Sequence, residues 1–239
     1  MLRLSFGLLA LAMVAGAACS SSEESAPTVL STPSPASGET TGTVTPTPEG
    51  NLDREAESDL ARSMLLTVQD FPTGWTEDPA TTDDDPTPFD RCDSGPAPGR
   101  TGAAQSGDFT RGGIAEVTHY TGVFVSTEAM PSQRDRVMML GGCFVDVLNS
   151  GDLDDDGVRY TDARLGEVSF PNLGDETIAY RLSFKASDGS QSFDFYIDIV
   201  VTRQGRYVSQ LVALDGLSPF PSFQLEELAR KAVTKLPRN

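Results

Sequence analysis

Residues 192–202 read Ser-Phe-Asp-Phe-Tyr-Ile-Asp-Ile-Val-Val-Thr. Phe193, Phe195, Ile197, Ile199 and Val201 alternate with Asp194, Tyr196, Asp198, Val200 and Thr202. A period of two in β-branched and aromatic residues marks a strand with one face in the core. Upstream, residues 177–185 repeat the pattern and put Ile178, Tyr180, Leu182 and Phe184 on one face. Between the two runs lies Ser187-Asp188-Gly189-Ser190, and Asp-Gly favours a two-residue hairpin loop because both positions need positive φ. That loop sets Ser187 opposite Ser190 and pairs Phe184 with Phe193, Leu182 with Phe195, Tyr180 with Ile197 and Ile178 with Ile199. A slip of one residue would turn all of these apolar side chains to the wrong face. Downstream, Arg203-Gln204-Gly205-Arg206 turns the chain into a third run, residues 207–214. There Val208, Val212 and Leu214 compete with Tyr207, Leu211 and Ala213 for the inner face, Gln210 breaks the first set, and cover on both faces is the alternative.

Outward from this meander, residues 114–125 are apolar and β-prone, with Val117, Tyr120, Val123 and Val125 as core candidates and Gly122 as a bulge candidate. A strand near Phe109 precedes them, turned by Arg111-Gly112-Gly113. Helical spacing appears three times. Ala56, Leu60 and Met64 mark a helix over 53–66. Val137, Leu140, Phe144 and Leu148 mark one within 127–148, with Pro131 near its first turn. Leu225, Leu228, Ala229, Ala232 and Leu236 mark a last one over 222–236. Gly141 and Gly142 each cost the middle helix about 1 kcal/mol against alanine, which implies close packing against a neighbour. Trp75 packs over a core edge, and residues 76–100, rich in Asp, Pro and Thr, are largely irregular. The expected fold is α+β: a twisted antiparallel β-meander sheet packed by about three helices, in one domain spanning 53–239.

The first fifty residues differ in kind. Residues 1–18 carry one early charge, Arg3, then an apolar run too short to cross a bilayer, then Ala15-Gly16-Ala17-Ala18 before Cys19. This segment resembles the signal and lipobox of bacterial lipoproteins, in which cleavage precedes a cysteine that carries the lipid; Gly16 stands where leucine is commonest. Residues 20–50 are dominated by Ser, Thr, Pro and Gly and cannot bury enough surface to offset their ordering entropy. With Cys19 they make a tether over 19–52, with a coil span of roughly 30 Å and a stretched length of about 100 Å. The expected location is the cell membrane, lipid-anchored on its extracytoplasmic face. An exported chain with two further cysteines, Cys92 and Cys143, is a candidate for one disulfide between them.

The formal net charge is −17, and loss of Arg3 with the signal leaves −18. Such an excess of carboxylates argues against nucleic acid and anionic lipid surfaces. The expected partners are the membrane, through the anchor, and a small ligand or envelope protein whose identity the residues do not reveal. Nucleophilic catalysis lacks its parts: His119 is the only histidine, it sits in a strand, and no Gly-x-Ser-x-Gly elbow exists. One histidine and two paired cysteines cannot cage zinc, and no glycine-rich phosphate loop is present. No cofactor is expected. Asp152, Asp154 and Asp156, followed by Gly157, match the first half of a calcium loop, but the twelfth position is Ala163. The plainer alternative is an acidic turn between helix and strand. Two function classes follow: a binding or sensor-like domain without catalysis, and an envelope hydrolase using paired carboxylates such as Glu116, Asp194 or Asp198.

Several features together resemble the sensor-domain lipoproteins of actinobacteria, a group related to the extracellular domain of a mycobacterial serine/threonine kinase. They are Phe71-Pro72-Thr73-Gly74-Trp75 after the first helix, a helix carrying Cys143, and Gly174-Asp175-Glu176-Thr177 opening a strand. Val200-Val201-Thr202-Arg203-Gln204-Gly205-Arg206-Tyr207 at a hairpin and the terminal helix complete the set. The resemblance implies an α+β fold and a ligand- or partner-binding role, and it supplies no catalytic residues. The kinase domain is held by two disulfides where this body can form one.

Overall fold

The computed structural model describes residues 53–79, 87–154, 157–216 and 218–238. The signal segment, Cys19, the tether and Asp156 lie outside them. The elements in chain order are α1 (Arg54–Ser63), β1 (Thr76–Asp78), β2 (Arg100–Arg111), β3 (Ala115–Phe124), α2 (Gln133–Ser150), β4 (Arg159–Glu167), β5 (Glu176–Ser187), β6 (Ser192–Gln204), β7 (Tyr207–Asp215) and α3 (Ser222–Lys235). All seven strands form one antiparallel sheet in the order β1-β2-β3-β7-β6-β5-β4. The fold is therefore α+β, as the patterning implies. The meander is interrupted once: β1–β3 and β4–β7 are separate meanders, joined where β3 pairs with β7, and α2 crosses the gap between them.

Both faces of the sheet are covered. On one, α2 lays Val137, Leu140, Phe144 and Val147 against Ile178, Leu182, Ile197, Ile199 and Val201. On the other, α3 packs Leu225, Leu228 and Ala232 over Val200, Leu211 and Ala213, and Met64 at the end of α1 meets Val123, Tyr207 and Leu236. The competition seen in residues 207–214 is resolved by this double cover: Leu211 faces α3 while Val208 faces α2, and both are buried. β3 likewise buries residues of both parities, whereas Val125, past its end, is 46% exposed and leaves the expected core.

The β5–β6 hairpin keeps its faces but not its pairs. Ser187 opposes Ser192, so the loop is four residues long, and Phe184 pairs with Phe195, Leu182 with Ile197, Tyr180 with Ile199 and Ile178 with Val201. The cause is the Asp188 carboxylate. Its Oδ1 accepts from the backbone N–H of Ser190 and of Gln191 and from Ser190 Oγ, each at 2.8 Å, which closes a wider turn than Asp-Gly alone would make. The shift is two residues, so every inward side chain stays inward.

Local chemistry fixes the helices. Asp53 caps α1 by accepting from Glu55 N–H and Ala56 N–H at 3.1 and 3.2 Å. Ser132 Oγ caps α2 through Asp135 N–H, and Gly151, at φ 83°, ends it. A β-carbon on Gly141 would lie 2.6 Å from Leu165 Cδ2 of β4, so this glycine admits the close approach expected of the pair; Gly142 meets nothing within 4 Å and has no such role. Gly122 is not a bulge: it pairs regularly with Ala103 and Val208, and both irregularities in the β2–β3 ladder fall on β2. Cys92 and Cys143 form a disulfide that ties the short 3-10 turn Pro88–Cys92 to α2. Trp75 is buried beside Phe71 and Phe220, at 5.0 and 6.2 Å between ring centroids.

Candidate functional site

The N-terminal end of α2 sits where β3 and β7 adjoin, and two pockets that share Arg136, an inner and an outer one, open there. The inner part, about 20 Å³, is lined by Arg100 at the start of β2, Gly122 and Phe124 of β3, Gln133, Arg136 and Val137 of α2, and Val208 and Gln210 of β7. The outer part, about 330 Å³, runs between Pro96, Pro98 and Pro131, with Ser94, Ser132, Asp135 and Met139. Arg136 lines both. Backbone hydrogen bonds hold the walls: Arg100 N–H to the Ala97 carbonyl at 3.1 Å and Val125 N–H to the Gly99 carbonyl at 2.8 Å run the 97–100 segment along the end of β3.

The polar groups of the inner part include several donors. Gln133 Nε2 donates to the Pro131 carbonyl at 2.9 Å, and Arg136 Nη2 to the Gly95 carbonyl at 3.4 Å. Gln210 is 4% exposed, and its Nε2 is buried without a hydrogen-bond partner among the described residues. Burial lowers the basicity of both guanidinium groups. At Arg100 the neighbouring Arg136 adds to the effect, and Asp93 opposes it at both. No carboxylate is among the lining residues, but Asp93 stands close enough to act on the charge of both arginines.

A second cluster lies further along the same face of the sheet. Asp108 of β2 is buried and accepts from Thr118 Oγ1 at 2.7 Å. Burial and then the charges of Asp108 and Asp78 push Glu116 up to about 7. Burial, then Asp108 and Glu116, push the Tyr120 phenol above its usual range, and its hydroxyl has no partner among the described residues. Sequence reading singled out Glu116 but not Asp108, because only the β2–β3 ladder brings them near.

The other residues named from sequence are placed apart. His119 is fully buried: its Nδ1 accepts from Leu66 N–H at 2.9 Å and its Nε2 meets Ser209 Oγ at 2.8 Å, so both ring nitrogens serve the fold. Asp198 accepts from Arg181 Nε at 2.8 Å and Phe220 N–H at 3.1 Å on the α3 side of the sheet, away from Glu116. Asp194, near the start of β6, pairs across with Lys185. In the acidic loop, Asp152 accepts from Arg91 at 2.6 Å. Asp154 accepts from Tyr160 N–H at 3.3 Å and lies 3.6 Å from Arg159 Nε. The cations beside these two aspartates are thus arginines, and among the described residues no group of three His, Cys, Asp or Glu side chains is placed to hold a metal ion. Among the described residues no helix is long and apolar enough to cross a membrane.

No family model matches the chain, and no curated protein matches it in sequence. Among solved structures it is similar to the extracellular domain of PknH from Mycobacterium tuberculosis, at 11% identity and a TM-score of 0.30, over 57% of this chain and 65% of that one. It is also similar to cyanobacterial PsbP (CyanoP) from Synechocystis sp. PCC 6803, at 12% identity and a TM-score of 0.32, over 64% of this chain and 78% of that one. The chain thus spans less than two thirds of the PknH domain. Likenesses this slight carry no functional argument.

Proposed function

We propose that this protein is a lipid-anchored, extracytoplasmic binding domain without catalytic activity, and that its ligand seats in the cavity at the N-terminal end of α2. The cavities carry the reading: a proline-walled groove of about 330 Å³ and a smaller polar chamber share Arg136 in their walls. Cys19 after an export-like segment, and a disulfide of the kind that persists outside the cytoplasm, support the location. The tether would let the domain sample the space above the membrane while it remains attached.

A thermal-shift screen of neutral, cationic and anionic envelope metabolites tests it, followed by amide-shift mapping of the hits. Hits are expected to move the amides of Ser94, Ser132 and Met139. A screen whose hits leave those amides still contradicts the reading. The Asp108–Glu116 pair favours one alternative, a carboxylate hydrolase, since an acid held near neutrality suits proton transfer. Turnover of a wall glycan or peptide, abolished by Glu116→Gln, would establish that alternative.

A further inference from the structure

We propose that β1 is a proton-gated edge strand: it stays seated on β2 while at least one of Asp78, Asp108 and Glu116 is protonated, and it loosens when all three are ionised. The device stands apart from the ligand site proposed above and does not depend on it. Its basis is register. Asp78 of β1 lies directly opposite Asp108 of β2, and Asp108 lies opposite Thr118, two residues along β3 from Glu116. Like charges directly opposite one another on neighbouring strands destabilise the pair. Asp108 is 8% exposed, so salt and water screen it poorly. No basic side chain enters the balance at Asp108 or at Glu116: burial and the other acids push both up, and at Asp108 only the Thr118 hydroxyl opposes them. Residues 76–90 are rich in Asp and hold no lysine or arginine.

The other charged neighbours belong to the opposite face. Arg111, next after Thr110, holds its guanidinium 5.0 Å from the centre of the Trp75 ring. Glu77 lies opposite Phe109, and Asp215 of β7 opposite Ala115, both in the core under α3. Tyr120 shares the face of Glu116, but its phenol stays neutral and adds no charge. Little else holds β1. It is three exposed residues long and pairs only with β2. Among the described residues its side chains bond to the sheet through Thr110, whose Oγ1 meets Thr76 Oγ1 and donates to Asp78 Oδ2, each at 3.1 Å. The seat is close: a β-carbon on Gly107 would fall 2.2 Å from the Asp78 carbonyl oxygen. Opening parts Asp78 from Asp108, admits water to the buried acids and lets Glu116 give up its proton. The closed strand therefore keeps a proton that the open one releases, so closure is favoured at low pH and withdrawn as pH rises through about 7.

The test is amide hydrogen exchange of the purified full chain at about pH 5.5 and about pH 8.5, corrected for the intrinsic pH dependence of exchange. Protection of the amides that join β1 to β2, within 76–78 and 108–110, is expected to fall by about tenfold or more between the two conditions. At both it is expected to lie below that of the β6 amides, the mark of a local opening. Asp78→Asn removes one of the opposed charges at an exposed position and keeps an oxygen for Thr110. That variant is expected to keep most of its β1 protection at the higher pH. Four results would overturn the gate: no β1 protection at either pH, protection that does not change with pH, protection equal to that of β6, or an equal fall in wild type and Asp78→Asn.

Discussion

His119 accepts a backbone N–H at Nδ1, and that bond needs the neutral ring. Burial is the main cause that lowers its pKa from 6.5 to about 3, with Lys235 adding to the effect and Asp70 opposing it. The unfolded chain therefore binds a proton that the fold refuses. The stability this residue contributes is whole above pH 6.5 and falls as pH drops towards 3, by up to about 1.4 kcal/mol per unit. Glu116 acts in the opposite sense: raised from 4.5 to about 7 by burial, Asp108 and Asp78, it favours the fold below pH 4.5 and withdraws that support as pH rises through 7. Glu116→Gln should remove the loss between pH 4.5 and 7 and leave the acid-side loss intact. Urea midpoints of wild type and variant across pH 3.5 to 8 check this, and parallel curves would refute it. The structural part of His119 was legible, since a lone strand histidine has no catalytic partners. The buried place of Gln210 was not. Its break in an apolar face was visible, but Arg100 and Arg136 stand far from it in the chain and only the β3–β7 pairing and α2 collect them.

At the scale of elements, the β5–β6 hairpin shows what pattern can and cannot decide. Alternation fixes which face is inward, and a shift of two residues leaves that answer unchanged, so the loop alone sets the register. Asp188→Ala should therefore lower the stability measurably, because it removes three accepted hydrogen bonds from one carboxylate. Denaturant unfolding measures it, and no change would mean that the turn forms without the carboxylate. The seat of α1 was hidden for a similar reason. Its apolar spacing was plain, but its nearness to β2 depends on Gly102, where a β-carbon would fall 2.3 Å from the Glu57 carbonyl oxygen. That neighbour is backbone and cannot swing away. Gly102→Ala should destabilise by about 1 to 3 kcal/mol or more, with the loss read from the thermal midpoint. Glu57 itself meets Arg206 of the β6–β7 turn through two 3.0 Å hydrogen bonds, which fastens the helix to the far side of the hairpin. β4 lacked a clear alternation in sequence because only Ala163 of its nine residues is buried.

At the scale of the molecule, one sheet carries two cores, and the disulfide fastens the segment before β2 to the helix that covers one of them. With a sequence separation of 51 between the cysteines, the chain-entropy model gives about 4 kcal/mol. Reduction should lower the unfolding midpoint accordingly and loosen the 94–98 wall of the outer groove first. We propose that a lipid on Cys19 holds this domain outside the cytoplasmic membrane. Intact-mass analysis of the protein extracted from its native membrane tests it most directly. The expected chain begins at Cys19, carries the mass of acyl groups, and gains two hydrogens only after reduction. A chain without added lipid mass, carrying two free thiols before reductant is added, would contradict it.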